Sequence, residues 1–532
     1  MKTSRILILI LAAVWLIMAF GVNPIGDFPL NDDWAYGQAV YHLVEEGRLQ
    51  FSGWQSMPLI FQVLWGALFC WPFGFSFTAL RFSTLVLGLV GVLATYGLLR
   101  EVRAKHLVAF FGALLVATNP IYFSLSNTFM TDVPFFALAV LSLLFFVRAL
   151  KSDNKLEIAL ATLLACSATL IRQLGIVIPV AFSLTYPVKN NFKSRNFVVA
   201  LWPFLLTVGV LCSYNFWLQV TLGLPALYTV KADSLLVVLH RPISNLLLLF
   251  AETSVKSVIT LGMFFFPLLI LFPFPRNKSS LFSFVVLSSC LLLWLKRPLP
   301  LLGNILFDFG VGPLLLRDTY ILKLAHFFVA PKIVWLALTL MGLVGGVILL
   351  DVLRRALWQR DWLKVFIFLV CLGYFLPISP VVFFDRYLIF LLPLLLMLMV
   401  ITNSEPSIQL KPIKIVIAAG LIVIYGLFSL VATHDYLSWN RTRWQALRYL
   451  TQEKHISPCD IDGGFEFNGW FGYHPYYRVY EHKSWWWVYN DDYIVSFGPI
   501  NGFKEVIRFA YKRYIPWGEG RILVLRKKGL NE

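Results

Sequence analysis

Apolar residues run along this chain in long unbroken stretches, not in the alternating or one-sided patterns of soluble elements. Thirteen windows approach or reach the length needed to cross the roughly 30 Å hydrocarbon core of a bilayer as helices. They are 5–22, 78–99, 107–124, 133–150, 156–171, 173–188, 197–219, 257–275, 280–296, 332–353, 363–381, 386–402 and 413–433. The shorter ones, such as 156–171, need flanking residues to complete a crossing. The first, ILILILAAVWLIMAFGV, follows Lys2 and Arg5 as a signal peptide would. It runs to spanning length with no A-x-A site after it, so it is expected to remain as the first span.

Between and beyond these windows the pattern changes. Residues 32–49 interleave Trp34, Val40, Tyr41, Val44 and Leu49 with Asp33, Gln38, Glu45 and Glu46, an amphipathic helix expected to lie along the membrane surface. Residues 58–72 read as a re-entrant or interfacial helix, and longer outer loops are expected at 220–256 and 297–331. After residue 433 no spanning run occurs. DYLSWNRTRWQALRYLTQEK reads as a helix with Trp439, Ala446 and Tyr449 or Leu450 toward a core, and DDYIVSF and GRILVLRK read as strands. A helix is expected at 503–513. The fold class is therefore a polytopic α-helical membrane protein of about thirteen spans, with interfacial helices in its first outer loop. Residues 1–433 form the membrane domain and 434–532 a small mixed α/β extracytoplasmic domain.

Composition agrees: 59% of the 532 residues are hydrophobic and 14% charged, which excludes a string of soluble domains. The formal charge of +17 invites a nucleic-acid partner, but the basic residues gather in alternate connections. Arg100, Arg103 and Lys105 form one cluster, Arg148, Lys151 and Lys155 another, Lys189, Lys193 and Arg195 a third, while SLSNTFMTD at 124–132 carries none. That asymmetry is the positive-inside pattern. It places the N-terminus in the cytoplasm and, after an odd number of spans, the C-terminal region outside, in a multi-pass plasma (inner) membrane protein with no nucleic-acid partner. Five of six cysteines lie in apolar runs; only Cys459 lies in polar sequence, which leaves it no disulfide partner there.

Ionisable residues break the apolar pattern at a few places near one membrane face, where such groups are costly and usually functional. Asp32 and Asp33 follow the first span, and Asp132 precedes the fourth. Each could instead be a helix cap, with Thr131 as an alternative cap and Pro134 suited to that helix's first turn. Arg172 and Arg386 face outward against the positive-inside bias; either could be a snorkelling anchor, or Arg386 a partner of Asp385. Together, carboxylates and arginines suit a reaction whose donor carries a phosphate, with Arg binding the phosphate and a carboxylate taking a proton. Eight scattered histidines lack ligand spacing, so no dedicated metal cage is expected, although Asp32, Asp132 and a donor phosphate could share a divalent cation. GNILFDFGVGPLLLRDTYILK at 303–323 and DIDGGFEFNGW at 460–470 suit either a sugar face or a packed loop and hairpin. KSWWWVYNDDY at 483–493 reads better as an interfacial belt or domain core.

PLNDDWAY, NPIYFSLSNTFMTDVPFF, TLIRQLGIVIPV and FDRYLIFLLPLL, in that order, resemble the motifs of integral membrane glycosyltransferases of the GT-C fold. The resemblance is to the family-39-type group of protein O-mannosyltransferases and lipid A aminoarabinose transferases. It covers about residues 20–185 and 380–400. It implies transfer of a monosaccharide from a polyprenyl-phosphate-linked donor to an acceptor hydroxyl on a lipid, glycan or protein. Asp32 would then act on the acceptor, with Asp33 and Asp132 beside it as catalytic carboxylates. Arg172, Arg386, Tyr387 and Arg81 would bind the donor phosphate. Many relatives carry His-Pro-Pro before the interfacial helix where this chain has GWQSMPLIF, so no role of that His carries over. The rival classes are a transporter or flippase of anionic or lipid-linked sugars, and a polymerase or ligase of lipid-linked glycans.

Overall fold

A computed structural model describes residues 2–529 apart from 274, 276, 309, 325–328, 359–360, 404–410 and 480–482. The chain begins with α1 (Lys2–Gly21), whose C-terminal end feeds a loop carrying α2 (Asp33–Glu45) and α3 (Ile60–Cys70). Then follow α4 (Phe77–Glu101), α5 (His106–Ala117), α6 (Pro120–Ser126), α7 (Asp132–Ser152), α8 (Lys155–Thr169) and α9 (Val177–Lys189). The second half of the membrane region holds α10 (Ser194–Thr221), α11 (Ala226–Leu239), α12 (Ile243–Leu269), α13 (Lys278–Ser289), α14 (Lys332–Trp358), α15 (Trp362–Ile378), α16 (Leu391–Thr402) and α17 (Pro412–Arg448). Local sequence fixes many starts: the Ser76 hydroxyl accepts from Thr78 and Ala79 N–H to cap α4, and Asn119 with Pro120 behind it caps α6.

Each of the thirteen apolar windows is helical over most of its length. Among the described residues, nine helices are long and apolar enough to cross a membrane, ten if α5 and α6, bent by 61°, form one broken span. The other three windows are α8, α9 and α15. With 15 residues, α8 extends only about 22 Å at 1.5 Å per residue, short of the hydrocarbon thickness. A crossing by α8 would need flanking residues to make up the difference. Where α12 crosses α14, Gly262 meets Gly342 and Gly345 so closely that a Cβ on any of them would collide with opposing backbone; small residues let two helices touch where packing must replace the hydrophobic effect.

The C-terminal region is built on α17, which runs unbroken past residue 433 and buries Trp439, Ala446 and, just past its end, Leu450. A four-stranded sheet packs on it in the order β3 (Ile461–Asp462), β4 (Tyr493–Ser496), β6 (Trp517–Lys527), β5 (Phe503–Tyr514), beside α18 (Phe465–Gly472). The β3–β4 pair is parallel and the others antiparallel. For this sheet the numbering starts at β3, because Leu306–Phe307 and Gly310–Val311 form a small hairpin, β1–β2, in the loop before α14.

The helix expected at 503–513 is instead strand β5. Ile507, Phe509, Tyr511 and Arg513 recur at every second position and turn inward, while Arg508, Ala510 and Lys512 are exposed. That period of two belongs to a strand. The tryptophans of 483–493 divide: Trp486 and Trp487 are buried in the core and Trp485 is exposed.

Candidate active site

The loop that carries Asp32 is held from several sides. Arg81, on α4, is 1% exposed, and its guanidinium donates to the carbonyls of Pro24, Gly26, Phe28 and Asn127. It staples the loop between α1 and α2 to α4, and with its donors on backbone carbonyls it does not present a phosphate site. The expectation for Arg81 is corrected on that ground: a sequence shows the cation but not the carbonyls folded around it.

Asp32 occupies the position before α2 without capping it, since its side chain makes no cap hydrogen bond. Its Oδ1 instead accepts from Trp54 Nε1 at 2.8 Å. Asp33 points the other way. It is 1% exposed, and its Oδ2 accepts from Leu30 N–H. Burial pushes its carboxyl up to about 8, against the opposing pull of the Phe129 N–H, the Arg81 cation and the Leu30 N–H. Asp33 is therefore predominantly a neutral acid near pH 7 and adds little negative charge beside Asp32. A folded pKa above the unfolded one gives stability that is full below about 4 and is lost as pH rises toward about 8. The melting temperature of the detergent-solubilised wild type should thus fall across that window through this group. Asp33→Asn should remove that component of the slope while leaving turnover within a few-fold; an unchanged slope would show that Asp33 ionises freely.

Asp132 opens α7, and no side-chain cap hydrogen bond forms at Thr131. The Asp132 carboxylate meets Arg172 Nη2 at 2.9 Å and lies 3.8 Å from Arg386 Nη1, while Arg172 Nε donates to Thr131 Oγ1 at 2.7 Å. Arg172 immediately precedes the 3-10 turn Gln173–Ile176, and Arg386 lies in another, Asp385–Leu388, leading into α16. The Asp385 neighbour is committed elsewhere, its oxygens accepting from the N–H groups of Ile305 and Leu306. Tyr387 places its ring 5.9 Å from the Arg172 guanidinium and 5.6 Å from that of Arg386. Arg386 is 9% exposed, yet its Nε and Nη1 donate no hydrogen bond to any described residue. Buried donors ordinarily find acceptors, so this guanidinium has two donors left to offer an anion.

Two further residues join the group that motif reading did not single out. Tyr36, one turn into α2 and buried, lies in the combined field of Asp32, Arg386, Arg172 and Asp132; burial first, then Asp32, raises its hydroxyl well above its ordinary range, so it stays a hydrogen-bond donor. Lys231, on α11, donates to Ser56 Oγ at 2.7 Å and shares the field of Asp32, Arg386 and Arg172. Ser56 lies in GWQSMPLIF, the stretch without the His. The site thus sets Asp32 and Asp132 against Arg172, Arg386 and Lys231, a formal excess of one positive charge. A divalent cation shared by the two carboxylates does not fit this arrangement, because two guanidiniums face Asp132. Among the described residues no group of three His, Cys, Asp or Glu could hold a metal ion.

Residues 58–218 match the dolichyl-phosphate-mannose-protein mannosyltransferase family model, which spans α3, α4, Asp132 and Arg172. No curated protein matches the chain. Among solved structures, ArnT from Cupriavidus metallidurans bound to undecaprenyl phosphate is similar over 99% of this chain and 98% of its own, at 10% identity and a TM-score of 0.51. The Archaeoglobus fulgidus oligosaccharyltransferase is similar over 84% of this chain and 58% of its own, at 14% identity and a TM-score of 0.46. The chain therefore has the GT-C fold of such membrane glycosyltransferases, and its sequence match to the mannosyltransferase family runs through Asp132 and Arg172.

Proposed function

We propose that the chain transfers a monosaccharide from a polyprenyl-phosphate-linked donor to an acceptor hydroxyl at the extracytoplasmic membrane face, the N-terminus lying in the cytoplasm and residues 434–532 outside. The observation that carries this reading is Arg386, a buried cation with two idle donors, beside Arg172 and within the same field as Asp32. The fold relative from Cupriavidus metallidurans holds undecaprenyl phosphate, a ligand of the class such a pocket would take. Asp32 accepts the proton of the acceptor hydroxyl as its oxygen bonds to the anomeric carbon. The bond from that carbon to the phosphate oxygen breaks, and lipid phosphate leaves with its electron pair. Arg172 and Arg386, both buried, offset the charge that grows on the leaving phosphate, an effect strongest where water is excluded, and the more exposed Lys231 adds to them. Asp132 holds Arg172 in place, and the Tyr387 ring packs against both guanidiniums.

The test is to incubate purified protein with polyprenyl-phosphate sugars labelled in the sugar. Release of lipid phosphate together with label on a hydroxyl acceptor supports the reading. Label that crosses a proteoliposome membrane still attached to its lipid would replace it with a flippase.

A further inference from the structure

The backbone that carries Asp32 is gripped by a residue more than four hundred positions away. Asn31 N–H donates to Glu466 Oε1 at 2.9 Å, and Glu466 Oε2 lies 2.8 Å from Arg443 Nη1, both side chains 0% exposed. Arg443 rises from α17 and also donates to the Gly463 carbonyl and the Asn440 side chain, so Glu466 is aimed by a residue that is itself fixed. Asn31 needs the support: its φ of +56° lies in the left-handed region, costly for most residues though milder for Asn. The same outer segment also backs the partner of Asp32, since Phe465 and Trp487 pack edge-on against Trp54, 5.8 and 5.1 Å away. Gly469 lies so close under Trp34 that a Cβ there would collide with the indole.

We infer that Glu466 is a positioning residue for Asp32: it clamps the Asn31 N–H, fixes the turn entering α2, and thereby makes the outer α/β region part of the catalytic apparatus. This rests on Asp32 being the acceptor's base. A carboxylate joined to the reaction through a turn of left-handed backbone would be misaimed by a small loosening, and misaimed reacting groups lose rate with little change in donor affinity.

Two double variants separate the clamp from the ion pair. Arg443→Met/Glu466→Gln removes both buried charges but keeps a carbonyl oxygen for Asn31 N–H. Arg443→Met/Glu466→Leu removes the charges and the acceptor together. The first readout needs no activity. Hydrogen exchange at the Asn31 amide should stay slow in the wild type and the Gln double, and speed up at least about tenfold in the Leu double, with the membrane helices equally protected in all three. In the second readout the Leu double should lose about tenfold or more in kcat at unchanged donor KM, and the Gln double should recover most of it. Equal exchange at Asn31 in the two doubles would overturn the clamp, and faster exchange with unchanged kcat would overturn its catalytic role. Protection lost across the whole chain in both doubles would make Glu466 and Arg443 folding residues instead. A wild type that transfers no sugar leaves the exchange comparison standing and counts against the proposed function alone.

Discussion

Asp32→Asn should be folded, bind donor normally and turn over about 100 to 10,000 times more slowly, the range that general-base assistance contributes. The substitution is unusually clean here. Since Asp32 makes no cap hydrogen bond, there is no cap to lose, and the amide oxygen of Asn can still accept from Trp54 Nε1 as the carboxylate does at 2.8 Å. Only the capacity to take a proton goes. Steady-state kinetics with saturating donor and varied acceptor, alongside a melting curve, decides the matter. Turnover near wild type would remove Asp32 from the mechanism. It would not simply promote Asp132, whose carboxylate is paired with Arg172 at 2.9 Å.

What the sequence made legible follows physical cost. Ionisable residues beside apolar runs stand out because placing them there is expensive, and Asp32, Asp132, Arg172 and Arg386, the residues of the proposed site, are legible on that ground. Asp33 and Arg81 stand out equally, yet they serve the loop's architecture, for nothing in local sequence reports that Arg81 will meet the carbonyls of Pro24, Gly26 and Phe28. Lys231 and Glu466 were hidden for the opposite reason. They lie in ordinary polar sequence, and only the fold brings Lys231 to Ser56 or Glu466 to Asn31. The strand at 503–514 reads as a helix because its charged residues and Ala510 obscure an alternation that is plain only where Ile507, Phe509 and Tyr511 share the inward side.

Arg386→Ala should raise the donor KM by about 10-fold to 100-fold with the fold intact. A hydrogen bond to a charged group is worth about 1.5–3 kcal/mol, and about 1.4 kcal/mol is a factor of ten in affinity. The range therefore corresponds to losing one such bond fully, or two partly compensated by neighbours. The fold should hold because Arg386 lies 3.8 Å from Asp132, and its removal leaves the closer Arg172 pair in place. Arg172→Ala is a different experiment. It strips the 2.9 Å partner from a buried carboxylate, and breaking a buried pair from one side typically costs about 3–5 kcal/mol, so a loss of donor affinity there would be mixed with a loss of stability. Arg386→Lys should recover part of the affinity, since an ammonium supplies the charge without the planar fork that grips two phosphate oxygens. Lys231→Ala should raise the donor KM less than Arg386→Ala, because its side chain lies toward solvent, where charge is screened. Donor saturation curves for Arg386→Ala that overlay the wild type would mean that its idle donors face something other than phosphate, and the lipid-phosphate donor would lose its main physical support.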